Sequence, residues 1–163
     1  MYAPTSLTRV SGSQAIGKFG NDFAPKAAWV GGNEDIVLTV TEIFDTVGFY
    51  QPGYQKKKSI TRDIVIEKSF LRSSIFAYAK DVTFHQDEIR KINKRNFIIF
   101  ELDGKQELKT KNGEPYEKKF YRYLQYCFVK DRKYIFNFSC PQSRADYWRG
   151  AIKTIMESVK ITK

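Results

Sequence analysis

Residues 120–140 constrain this chain more than any other stretch. Phe120 to Val129 reads FYRYLQYCFV and Tyr134 to Cys140 reads YIFNFSC. Aromatic and β-branched side chains in runs of this length form strands, because they pack well on a pleated surface. Lys130-Asp131-Arg132-Lys133 turns the chain between them, so the two runs make an antiparallel hairpin. Pro141 stops the second run. Ser143 then stands as a helix cap, with Asp146 three residues on as its capping-box-like partner. Ala145, Trp148, Ile152, Ile155, Met156 and Val159 recur at helical spacing and make one apolar face. That helix has to lie across the sheet to bury the face.

The rest of the chain adds strands and helices without a regular β-α-β alternation. Asp35 to Phe44 is rich in Ile, Val and Thr, and Phe97 to Leu102 reads FIIFEL; both are strands. Leu7 and Val10 are strand contacts, and Pro25 to Val30 is extended before a tight turn at Gly31-Gly32-Asn33. Ser11 to Gly20 forms a short helix with Ala15, Ile16 and Phe19 on one side, ended by Gly20-Asn21-Asp22. Residues 45–58 form a loop containing Gly48, Pro52 and Gly53. Ser59 caps a following helix, in which Ile60, Ile64, Leu71 and Ile75 share a face. Tyr78 to Phe84 is extended again. Asn93-Lys94-Arg95-Asn96 is a turn, and the turn dipeptides Asp103-Gly104 and Asn112-Gly113 bracket a charged, solvent-facing segment. Strands with flanking helices predict an α+β fold on an antiparallel sheet. At 163 residues, positions 1–163 form one domain with a core of its own.

Residues able to carry chemistry are few. Gly12-Ser13-Gln14-Ala15-Ile16-Gly17-Lys18-Phe19 has the GxxxxGK spacing of a phosphate loop. Phe19, however, stands where a magnesium-binding hydroxyl belongs, and no parallel sheet lies behind it. The structural reading is a short helix whose Phe19 packs in the core. His85 is the only histidine. Asp81, Asp87 and Glu88 lie near it in sequence, but no Ser or Cys has the setting of a nucleophile. One His and two separated Cys make no zinc set, and the carboxylates lack calcium-loop spacing. The expectation is therefore no catalytic residue, no metal and no cofactor. With a turn centred on Asp131-Arg132, Cys127 falls opposite Phe136 and lies four residues from the position opposite Cys140. That separation, about 13 Å, is too long for a disulfide, so both cysteines read as buried thiols.

Charge is the remaining signal. Lys and Arg number 28 against 18 Asp and Glu, a net +10, which favours acidic partners: nucleic acid, anionic headgroups or an acidic protein. Three basic segments carry it. Lys56, Lys57 and Lys58 sit in a loop. Arg90, Lys91, Lys94 and Arg95 flank a turn. Lys105, Lys109, Lys111, Lys118 and Lys119 form the third, with Tyr121, Tyr123 and Tyr126 nearby. Cations beside aromatics suit single-stranded nucleic acid, whereas a solvated cationic face explains the same residues without a ligand. The first two segments are the expected binding residues, because partner contacts concentrate on loops.

The hairpin Tyr121 to Cys140, the following Pro141, the Trp148 helix and the ending Ile155-Met156-Glu157-Ser158-Val159-Lys160-Ile161 resemble the C-terminal signature of the PsbP-like superfamily. The Asp35–Phe44 and Phe97–Leu102 strands are similar in placement to that family's sheet. The resemblance implies an α/β/α sandwich around an antiparallel sheet. It also implies a non-enzymatic role, since members include photosystem subunits, a nuclear-transport regulator, bacterial lipoproteins and chaperones of secreted effectors. Residues 45–78 fit the family pattern poorly, and no binding residue carries across, because the matching positions are packing positions. The function expected is thus a protein-binding or accessory module whose partner offers an acidic or apolar patch. Nucleic-acid binding is the alternative, and carriage of a lipid or other small apolar ligand between sheet and helix is a third. No stretch has the apolar length of a membrane-spanning helix. There is no signal-peptide pattern or lipobox cysteine, so a native start at Met1 implies the cytoplasm and a removed leader implies export or a lipid anchor.

Overall fold

The chain is described by a computed structural model over residues 6–11, 14, 25–32, 35–44 and 63–161. Seven strands form one antiparallel sheet: β1 (Thr8–Val10), β2 (Ala27–Gly31), β3 (Ile36–Phe44), β4 (Lys80–Ile92), β5 (Arg95–Lys109), β6 (Pro115–Val129) and β7 (Arg132–Pro141). Their spatial order is β1-β2-β3-β7-β6-β5-β4, so β7 folds back between β6 and β3 while β1 and β4 form the edges. Helix α1 (Ile64–Phe76) and helix α2 (Ala145–Glu157) lie on opposite faces.

Alternation along the strands builds two cores. On one face Phe97, Ile99, Tyr121, Tyr123, Phe136 and Phe138 pack against Trp148, Ile152, Ile155 and Met156 of α2. On the other, Ile98, Phe100, Leu102, Leu124 and Tyr126 pack with Ile75 of α1. Where β5 and β6 are covered on both faces, at Phe97–Leu102 and Phe120–Val129, their sequences are near-continuous apolar runs rather than alternating ones. The result is the α/β/α sandwich that the family resemblance implies.

Several boundaries differ from the sequence reading. The charged run His85–Ile92, read as no strand, completes β4. It is an edge strand, where charged side chains cost nothing and discourage uncontrolled pairing. Asp103-Gly104 is not a turn: β5 runs through it, with Gly104 opposite Phe120. A Cβ at Gly104 would sit 3.0 Å from the Phe120 ring, so the glycine makes room for a buried aromatic instead of bending the chain. Helix α1 is capped by Asp63, whose carboxylate accepts hydrogen bonds from the Val65 and Ile66 amides. Ser59 and Ile60 lie outside the described residues, as do the GxxxxGK segment and the short helix predicted at 11–20, apart from Ser11 and Gln14.

At α2 the predicted apolar face is buried throughout, but the capping box is not formed. Gln142–Arg144 make a single 3-10 turn, which puts Ser143 inside that turn and Arg144 at the cap position, without a side-chain cap bond. The hairpin turn also moves. It comprises Lys130-Asp131, so Cys127 pairs with Tyr134, not Phe136, and Cys140 pairs with Tyr121. The thiols are therefore six ladder positions apart, about 20 Å. Both are free and buried.

Candidate interaction surface at one end of the sheet

Strand register decides which loops are neighbours. In β5 and β6, Ile98 pairs with Tyr126, so the start of β5 lies beside the end of β6. The β4–β5 turn (Asn93-Lys94) and the β6–β7 turn (Lys130-Asp131) consequently stand at the same end of the sheet, two strand spacings or about 10 Å apart. Asn93 Nδ2 donates to the Val159 carbonyl at 2.8 Å, which fastens the segment after α2 to the first turn and brings Lys160 there. Lys91, Lys94, Arg95, Lys130, Lys133 and Lys160 thus gather at one end. None of the six forms an ion pair with a described residue. The strands at this end, β4 to β7, span three strand spacings, about 14 Å, so the fields of these cations add at low ionic strength.

The turns hold two of these lysines in a costly conformation. Asn93 and Lys94 both have positive φ, 46° and 68°, as a two-residue hairpin turn of the mirror type requires. Lys130 has φ 57°. Glycine is the residue such positions favour; a side chain there costs on the order of 1–2 kcal/mol. Lysine therefore stands at both tips against the local preference. Beside the second turn, the Arg132 guanidinium lies 4.4 Å from the centre of the Phe44 ring, which is 61% exposed. Arg132 and Lys26 both engage Glu42, which also accepts a hydrogen bond from the Tyr134 hydroxyl at 3.2 Å.

Of the residues expected from the sequence, Lys91, Lys94 and Arg95 lie in this cluster. Arg90 does not: it bonds Glu88 at 2.5 Å and Glu157 at 2.7 Å. Lys56, Lys57 and Lys58 lie outside the described residues. Lys130, Lys133 and Lys160 join the cluster although the sequence did not mark them. Their charge was visible, but only the register places them beside Lys94. The third basic segment sits at the opposite end and is compensated in part: Lys109, Lys111 and Lys119 form no ion pair with a described residue, but Lys105 and Lys118 do, as does the neighbouring Lys80. Lys105 pairs with Asp81 and Glu117, Lys118 with Asp35, and Lys80 with Glu107. These partners raise the Lys80 and Lys105 pKa values. Tyr121, Tyr123 and Tyr126, the aromatics expected to serve that segment, are buried and offer no stacking surface, whereas Tyr116 within it is exposed.

Two further clusters stand elsewhere on the sheet, the first at the surface and the second buried. His85 Nε2 lies 2.7 Å from Asp103 Oδ2. Asp103 is in register with Tyr121 and, through it, with Cys140. The Cys140 thiol is buried, and desolvation with the nearby Asp103 charge pushes its pKa up to about 11, the reverse of an activated nucleophile. Burial likewise pushes Cys127 up to about 11. Under α2, the fully buried Glu101 carboxylate faces Arg149 and Lys153, each at 3.0 Å, and accepts the Tyr121 hydroxyl at 3.2 Å. Burial, with the Glu101 charge, raises the Tyr121 phenol. This network was not expected. Its signal was a lone Glu in the FIIFEL strand and an Arg–Lys pair four residues apart on α2. It pins the helix to the sheet.

Among the described residues, no three His, Cys, Asp or Glu side chains group as a metal site, and no helix is long and apolar enough to cross a membrane. Two surface clefts of about 330 and 360 Å³ lie by β1–β2 and beside Pro141–Ser143, neither between sheet and helix. No family model matches the sequence, and no curated protein does. Solved structures match the fold. The cyanobacterial PsbP (CyanoP) of Synechocystis sp. PCC 6803 superposes with a TM-score of 0.57 over 98% of this chain and 84% of that one, at 12% identity. PA94 of Pseudomonas aeruginosa, a protein of unknown function considered a candidate regulator, superposes with a TM-score of 0.52 over 99% and 87%, at 7% identity. The fold is PsbP-like.

Proposed function

We propose that the chain is a non-enzymatic binding module, and that the cationic end of its sheet recognises an acidic patch on a partner protein. The observation that carries this reading is the presence of Lys94 and Lys130 at hairpin tips where glycine is favoured, next to four more cations without described ion pairs. Charge so placed steers and orients a partner of opposite sign. Phe44 and Arg132 add the aromatic and guanidinium surface common in protein interfaces. The PsbP-like fold fits an accessory role but does not by itself dictate one.

The burial of Tyr121, Tyr123 and Tyr126 withdraws the aromatic platforms that the sequence offered the nucleic-acid alternative, which leaves Phe44 and Tyr116 among the exposed rings beside cations. The discriminating experiment titrates the full chain and a Lys94→Gly/Lys130→Gly variant with a fluorescent polyglutamate peptide. A mixed-sequence single-stranded oligonucleotide is titrated in parallel. The double variant relieves the turns, so its stability should hold or rise by about 1 kcal/mol while peptide binding weakens severalfold. Equal binding by both proteins would sink the proposal. A marked preference for the oligonucleotide, falling steeply with salt, would establish the alternative.

A further inference from the structure

The regular half of edge strand β4 is complementary to itself. Its first half is interrupted by register shifts between Lys80 and Thr83 and between Phe84 and Gln86. From Gln86 to Ile92 the pairing with β5 is unbroken, and among the described residues β4 is the last strand of the sheet. An edge of this kind carries a row of backbone donors and acceptors that another strand can satisfy. A second copy arriving antiparallel about a two-fold axis must place one β4 residue on the axis, opposite itself. Centring on Asp87, Glu88, Arg90 or Lys91 would oppose like charges, which is unfavourable. Centring on Ile89 puts an apolar residue on the axis, sets Glu88 against Arg90 of the second copy on one face, and sets Asp87 against Lys91 on the other. Each opposite-charge contact then occurs twice.

Helix α1 supplies a matching surface above that edge. Val65, Ser69, Arg72 and Phe76 are spaced four, three and four residues apart, on one stripe of the helix. Arg72 bonds Asp87 at 2.7 Å and lies 4.8 Å from the Phe84 ring centre, and Phe76 packs on Phe84 at 5.9 Å, so the stripe is on the β4 side. Val65 and Phe76 are nevertheless 61% and 51% exposed. A second copy brings the same stripe alongside, adding apolar contact to the strand ladder.

We propose that β4 is a homodimer interface, in which two copies join their sheets edge to edge about Ile89 and pack their α1 stripes together. Lys91, exposed and without a described ion pair, gains Asp87 of the other copy. The test uses the full chain. Sedimentation equilibrium at low salt should show a dimer, and Lys91→Glu, which opposes like charges twice, should weaken it roughly ten- to a hundredfold. Directly opposed residues in an antiparallel pair have Cα atoms within disulfide range. Ile89→Cys should therefore give a disulfide-linked dimer under mild oxidation, while Lys94→Cys, five residues off the axis, should not. A chain that stays monomeric at about 100 µM, or an Ile89→Cys protein that cross-links no faster than Lys94→Cys, would overturn the proposal.

Discussion

The two helices of the sandwich are attached by different means. Helix α2 lacks a side-chain cap but buries Ala145, Trp148, Ile152, Ile155 and Met156, and it straddles the buried Glu101 with Arg149 and Lys153. Helix α1 has the better local start, with Asp63 accepting two amides, yet it buries only Ile75 and leaves Phe70 70% exposed. One helix is held by tertiary burial; the other leans on its cap and on the Lys68 and Arg72 contacts to Asp87. Good capping is thus no measure of how firmly a helix is docked.

The largest effect should come from Trp148→Ala, which empties the space beside Phe138, 5.4 Å away between ring centres. Loss of such a buried aromatic costs about 3–5 kcal/mol, read as a fall in Tm of the whole chain. A cost below 1 kcal/mol would break the contrast, since α2 would then be no better anchored than α1. Asp63→Ala should cost about 1 kcal/mol and act locally: amide exchange should accelerate in the first turn of α1 and stay unchanged in α2. Uniform acceleration would show that α1 is as integral as its counterpart.

The smallest effect is in pH. Burial opposes ionisation of Asp87, but the Lys68 and Arg72 hydrogen bonds and charges outweigh it and hold its pKa below the ordinary value. A carboxyl depressed in the folded state contributes stability above its unfolded pKa and loses it as pH falls through the folded one. Melting followed at α1 should therefore weaken on acidification below the usual carboxylate range, by on the order of 1 kcal/mol at most. Asp87→Asn should flatten that acid limb. An unchanged limb would remove the ion pair from the account of how α1 is held.

The sequence was most readable where burial imposes a pattern. The Phe120–Val129 and Tyr134–Cys140 strands and the apolar face of α2 stand where they were expected, because each must present apolar groups to a core. It misled where one local signal has two uses. Asp103-Gly104 has turn chemistry, yet Gly104 serves the Phe120 ring. Gln86–Ile92 has the polarity of a loop, yet it is a sheet edge. Of the surface cluster, Lys91, Lys94 and Arg95 were legible as charge flanking a turn. Their closeness to Lys130 and Lys160 was not, since that depends on the β5–β6 register and on the Asn93 bond to Val159, neither of which leaves a local mark. Arg90 was expected among them, but it bonds Glu88 and also Glu157, a partner 67 residues away that no local pattern marks.

The two sequestered thiols have a practical consequence. With pKa values near 11 and almost no exposed surface, Cys127 and Cys140 are slow to react at neutral pH. Both lie in the central strands β6 and β7, which must separate before reagent can reach them. Alkylation of the native protein therefore times excursions to the unfolded state, and the chain carries its own clock for opening of the sheet without any introduced label.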